Sequence, residues 1–180
     1  DVPWDRSLAP VRAAGGTASI LRRQIERRVA CTPTTSMGRL FDGVAALLGV
    51  CLSIDHEGEA AARLEHLAAT AAGVRTYPAV PLGIRGGVIR IDWLGTIRAV
   101  VADILSGVEP GPIAAGFHRV VAGMIVAVAD TLRDTLAGNA SALAVGLTGG
   151  VFQNARLVAE ASTALAAAGH ETLLHRIVPP

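Results

Sequence analysis

The chain has 180 residues, enough for one ordinary domain and its core. Its net charge of +1 gives no basic excess of the kind a nucleic-acid binder carries. Hydrophobic residues make up 51% and aromatics only 3%, so Ala, Val, Leu and Ile must build the core, which favours close-packed helices and short parallel strands over a β-sandwich.

Residues 1–16 are polar and proline-punctuated and read as a connector. Residues 17–29 place Ile20, Leu21, Ile25 and Val29 at helical spacing, with Arg22, Arg23, Arg27 and Arg28 as a solvated outer face. A Thr/Pro/Ser loop follows, and Ser36 can cap the next helix. In that helix, residues 37–49, nearly the whole circumference is apolar except a stripe of Arg39, Asp42, Gly43, Ala46 and Gly49. Asp42 is therefore expected to be a carboxylate with little solvent-facing surface, which needs a partner. Arg39, the helix dipole or a ligand hydroxyl would each serve. Cys31 and Cys51 lack CxxC spacing, which fits a reduced, cytoplasmic protein with both thiols as small apolar fillers.

An Ala/Leu-rich helix is expected over residues 57–71. His56 and His66 lie about 80° apart on its circumference, so they make no self-contained metal site. His118, His170 and His175 are equally isolated and read as surface or satisfied histidines. Residues 77–92 form a hairpin pattern around Gly86-Gly87, and Asp92 can cap a helix over residues 93–105. Glu109-Pro110-Gly111-Pro112 reads as a break, followed by a long apolar helix over residues 113–136. The longest charge-free run, residues 135–155, is interrupted by glycines and amides and is not a membrane span.

Residues 143–154, LAVGLTGGVFQN, read as a short buried strand, a Gly-Gly turn and the start of a helix ending near Gly169. Two glycines let backbone approach a ligand with no Cβ in the way, and the helix N-terminus behind them suits phosphate. A plain tight turn has the same spacing. A last strand over residues 172–178 completes a parallel βαβ unit. Asp1 is not an initiator and Val178-Pro179-Pro180 follows an apolar segment directly, so the sequence reads as part of a longer protein.

Three segments resemble one family. Residues 35–49, TSMGRLFDGVAALLG, resemble the TSS-x-GRLFDAVAALLG signature of HypF-type carbamoyltransferases, which mature [NiFe]-hydrogenases. His56-Glu57-Gly58-Glu59-Ala60-Ala61 resembles that family's YEG[QE]AA, and Gly149 to Asn154 with His175 to Pro180 resembles its SGGVFQN and H-x-x-VPP. Met37, His56 and Thr148 are mild departures. The resemblance implies an α/β fold, the helix-rich second lobe of an actin-like (ASKHA, ribonuclease H-like) ATPase with a small mixed or parallel sheet. It assigns residues 17–180 to the C-terminal lobe of a Kae1-like domain. It also implies a reaction in which ATP and carbamoyl phosphate give carbamoyl adenylate, with the carbamoyl group passing to the C-terminal cysteine of HypE.

By the same resemblance, Gly149 and Gly150 would approach the nucleotide and Asn154 would contact it. Asp42 would hold the ribose hydroxyls, and Gly58 would lie close by. No catalytic or metal-binding residue is expected in this stretch. The family's metal-binding histidines precede it and its NDGG aspartate follows the position of Pro180, so carbamoyl transfer by this stretch alone is not expected. A relative with another acceptor (an O-carbamoyltransferase or threonylcarbamoyl-transferase) and a non-catalytic nucleotide-binding or interaction lobe are the alternatives. No membrane or nucleic-acid partner is expected.

Overall fold

A computed structural model describes residues 4–136 and 142–177. Its helices are α1 (Ala9–Ala14), α2 (Ala18–Arg27), α3 (Met37–Leu47), α4 (Glu59–Ala69), α5 (Leu94–Leu105), α6 (Pro110–Leu136) and α7 (Ala155–Ala167). Its strands are β1 (Leu82–Arg85), β2 (Val88–Ile91), β3 (Ala144–Leu147) and β4 (Glu171–Leu174). They form two separate pairs. β1 and β2 are antiparallel across Gly86-Gly87, with Leu82 opposite Ile91. β3 and β4 are parallel, with Ala144 opposite Glu171 and Leu147 opposite Leu174. The βαβ unit read from the sequence is therefore present, with α7 as its crossover.

The core forms around α6, which packs against α4, α5 and α7. Two of these neighbours, α4 and α7, carry a buried apolar row at helical spacing. These rows are Ala60, Leu64 and Ala68 on α4 and Leu157, Ala161 and Leu165 on α7. On α3, Phe41, Val44 and Ala45 are buried, and the Phe41 ring meets Phe117 of α6 edge-on at a centroid distance of 5.0 Å. Burying each such Leu or Phe contributes roughly 1.5–3 kcal/mol. By length and composition α6 could cross a membrane, but most of its apolar stretch is buried inside this fold.

Small residues on α6 set how closely the chain can approach. A Cβ at Gly116 would collide with the Arg75 carbonyl oxygen and lie 2.9 Å from the Tyr77 ring. The segment running to the hairpin is thereby laid directly on α6. It is locked there by Arg75, which donates two hydrogen bonds to Asp103 of α5, at 2.9 and 2.8 Å, and by the Tyr77 hydroxyl, which donates to the same carboxylate at 3.0 Å. These donors hold the Asp103 carboxyl below its ordinary range, and burial pushes the Tyr77 hydroxyl up.

Several expectations need correction. Residues 9–14 of the expected connector are helical, because Pro10 is tolerated in a first turn, and Leu8 and Ala9 are buried. For the same reason Pro110 and Pro112 open α6 rather than break the chain before it. Ile20, Leu21 and Ile25 of α2 are exposed, so that helix packs its apolar residues no better than its arginines. Cys51 is buried as expected, but Cys31 is exposed. β3 is less buried than expected, with only Leu147 fully inside. Val178-Pro179-Pro180, Gly138 and Asn139 lie outside the described residues.

Gly116→Ala is expected to destabilise the chain by about 1–3 kcal/mol, since backbone and ring must shift to admit the methyl group. Urea denaturation checks this, and a variant as stable as the parent contradicts the packing described.

Candidate functional site

Three N-terminal ends converge on one cleft of about 730 Å³. The first is the start of α3. The Ser36 hydroxyl accepts from the Arg39 N–H, Met37 and Gly38 line the cleft from that first turn, and Asp42 lines it from the second. The second is the start of α4, where Gly58 sits at φ +82°, a left-handed position that suits glycine. The third is the Gly149-Gly150 turn. Gly149 has φ +96°, and a Cβ at Gly58, Gly149 or Gly150 would meet nothing within 4 Å. The backbone at all three is thus open to a ligand.

All five residues singled out from the sequence (Asp42, Gly58, Gly149, Gly150 and Asn154) line this cleft. The local geometry differs from expectation at two of them. Asp42 is not strongly desolvated, because its side chain is 27% exposed along the stripe of small residues and pairs with Arg39 at 3.0 Å. Of the possible partners, Arg39 is the one present. At the turn, α7 does not begin at Val151. A 3-10 turn spans Gly150–Gln153, and α7 starts at Ala155 behind an Asn154 cap. The Asn154 side chain makes one structural contact at each end of its amide. Its Oδ1 accepts from the Leu157 N–H at 2.8 Å, and its Nδ2 lies 2.9 Å from His118 Nε2.

His118 is fully buried on α6 against the Phe41 and Phe117 rings. Its Nδ1 lies 2.8 Å from the Ala114 carbonyl oxygen, so Nδ1 carries the proton and Nε2 accepts from Asn154. Burial pushes the His118 pKa below its ordinary value and keeps the ring neutral. The expectation of a satisfied histidine holds here and at His170, which joins Leu143 to Asp130. His175 lies against the Thr148 hydroxyl at the other side of the turn.

The sequence reading missed the acidic half of the site. Glu57 and Glu65 line the cleft, and Glu65 accepts from the Arg156 backbone N–H at 2.9 Å. Glu59 is buried behind it, accepts from the Asp55 N–H at 2.7 Å and pairs with Arg63. The Asp55 hydrogen bond is the main reason its carboxyl is held below the ordinary range. The Ala/Leu pattern hid these roles, since Glu57, Glu59 and Glu65 look like ordinary surface charges of an amphipathic helix. Among the lining side chains, Arg39 faces three carboxylates, those of Asp42, Glu57 and Glu65. An anion here must be held by backbone N–H groups and helix ends rather than by these side chains. A diol or a neutral polar group suits the acids.

Residues 4–180 match the family model described as carbamoyltransferase, Kae1-like domain, second subdomain. The chain is 38% identical over 167 residues to the carbamoyltransferase HypF of Rhodobacter capsulatus, covering 86% of this chain and 21% of that protein. It is 34% identical over 158 residues to the carbamoyltransferase HypF of Synechocystis, covering 88% and 19%. A crystal structure of full-length HypF in its phosphate- and nucleotide-bound form superposes with a TM-score of 0.81 at 31% identity, covering 94% of this chain and 22% of that one. The chain thus spans about a fifth of the length of these relatives. The actin-like, helix-rich fold expected from the sequence agrees with this likeness.

Folding holds His118 neutral, whereas the unfolded chain protonates it near 6.5. Its contribution to stability is therefore fully present above that value and declines as pH falls below it. Glu59 and Asp103, held below their ordinary ranges, add their losses only at more acidic pH. Denaturation midpoints measured from about pH 7.5 to about pH 5.5 should fall, and His118→Gln should flatten that limb. An unchanged slope in the variant contradicts the assignment.

Proposed function

The chain belongs to the HypF carbamoyltransferase family, as the second subdomain of its Kae1-like domain, and from that premise we propose that it forms the nucleoside-facing wall of a site using ATP and carbamoyl phosphate to make carbamoyl adenylate. The carbamoyl group then passes to the C-terminal cysteine of a HypE-type maturation protein, on the way to the cyanide ligands of a [NiFe]-hydrogenase. The work belongs to the cytoplasm.

One observation carries this reading: residues chosen from three separate sequence segments line a single cleft. The chemistry of that cleft fits a nucleotide. The Asp42 carboxylate can accept from two hydroxyls of a ribose, a diol that a carboxylate binds well. Exchanging the exposed Arg39 ion pair for those hydroxyls costs little, because such a pair is worth about 0–1 kcal/mol. Gly149 and Gly150 admit the ligand against bare backbone, and the free N–H groups of the turn meet its anionic part. Asn154 holds the turn through Leu157 and His118, and its second amide N–H and second oxygen lone pair leave it able to contact the nucleotide from the cleft wall. The excess of carboxylates assigns these residues the nucleoside end, with cations for the polyphosphate supplied by other parts of the full-length protein. That the solved full-length HypF structure carries phosphate and nucleotide supports a nucleotide site in the family.

Isothermal titration of the chain with ADP is expected to show saturable binding, and Asp42→Ala is expected to weaken it by about tenfold, the loss of one charged hydrogen-bonding partner. Equal affinity in the variant removes Asp42 from the site. The chain on its own is expected to form no product from ATP and carbamoyl phosphate, and turnover by the chain alone contradicts its role as one wall.

A further inference from the structure

We propose that His118 is a positioning residue for the nucleotide site, selecting the orientation of the Asn154 amide and through it the placement of the Gly149-Gly150 turn. The inference rests on the nucleotide reading for its ligand, but the positioning itself is a property of the ligand-free chain. His118 does not line the cleft; Asn154 does.

An asparagine side chain presents an acceptor at one end and a donor at the other, and a half-turn exchanges them. At Asn154 one end faces the Leu157 N–H, a donor that the first turn of α7 leaves without a helical partner. The other end faces His118 Nε2 at 2.9 Å. If Nε2 accepts, only one orientation satisfies both contacts, with Oδ1 toward Leu157 and Nδ2 toward the histidine. The half-turn would set donor against donor at Leu157 and acceptor against acceptor at His118.

What makes Nε2 an acceptor is α6 itself. His118 Nδ1 sits 2.8 Å from the carbonyl oxygen of Ala114, one helical turn back, and so must hold the ring proton. A four-part chain results, running from the Ala114 carbonyl through the imidazole and the amide to the Leu157 N–H. It ties the core helix to the helix behind the turn. Asn154 is extended, at φ −71° and ψ 103°, and is the residue at which the 3-10 turn ends and α7 begins. Rotating its amide therefore disturbs the joint that fixes Gly149 and Gly150, five and four residues upstream. The groups charged or titratable around the ring are Arg156 and Glu160 on α7 and Glu65 on α4. Burial among the rings of α3 and α6 keeps the imidazole neutral against them, which preserves the acceptor.

The test uses three variants of the chain. His118→Leu removes the acceptor at similar volume. His118→Gln offers Oε1 as a replacement acceptor. Leu165→Ala is a control that loosens the core away from the relay. Amide hydrogen exchange is read by NMR without ligand. In His118→Leu, the Leu157 N–H and the amides of residues 150–154 are expected to exchange about tenfold faster relative to α6 than in the parent. In Leu165→Ala they should keep their ratio to α6, and in His118→Gln the parent ratio should return. Selective acceleration absent from His118→Leu, or equal in Leu165→Ala, overturns the proposal. ADP titration of the same proteins is expected to show weakening of about tenfold in His118→Leu and recovery in His118→Gln. ADP binding by the parent and His118→Leu with equal affinity overturns the link to the site. A parent chain that binds no ADP defeats the nucleotide reading instead, and exchange alone then decides whether His118 positions the turn.

Discussion

One hydrogen-bonded relay joins the buried core to the open cleft. It runs from the Ala114 carbonyl through His118 and Asn154 to the Leu157 N–H. Every member is buried, so each polar atom left unpaired would cost about 1–3 kcal/mol. The cost of a broken link is what gives the relay its specificity. Because the atoms belong to two helices, satisfying them fixes the relative placement of α6 and α7 at the point where the glycine turn meets the fold. Apolar rows alone fix helix packing less sharply, since Leu and Ala surfaces slide at small cost.

Around that relay the rest of the molecule is spacing. The core has few aromatic side chains; Phe41 and Trp93 both meet Phe117, and Phe41 and Phe117 flank His118. Elsewhere Ala and Gly let backbones approach, as Gly116 does under Arg75 and Tyr77. Close approach brings three helix starts to one rim, and short polar contacts then secure each start: Ser36 at α3, Glu59 behind Gly58, and Asn154 at α7. The cleft is the space those fixed ends enclose.

Much of this was legible in the residues. The hairpin at Gly86-Gly87, the Ser36 cap and the strand–turn–helix–strand order follow from turn chemistry and periodicity, which are local. What local reading lost has a common cause, since the decisive partner lies far along the chain. The structural role of Asn154 stays hidden until α6, 36 residues earlier, supplies His118. Glu65 looks like a surface charge until Arg156, 91 residues later, donates to it. Prolines misled in another way. Pro10 and Pro112 read as breaks, although a helix's first turn has no use for the N–H that proline lacks. Nothing in the spacing of Ile20, Leu21 and Ile25 distinguishes a packed stripe from the exposed one that α2 carries.

The central claim is that three distant segments make one nucleoside-facing surface. Its most direct measurement is an ADP titration of the isotopically labelled chain followed by backbone amide shifts. The expected result is saturable movement at residues 36–42, at Gly58 and at Gly149-Gly150, all with one affinity, while the β1–β2 hairpin stays still. Shifts confined to one of these segments, or centred on the hairpin, would contradict it.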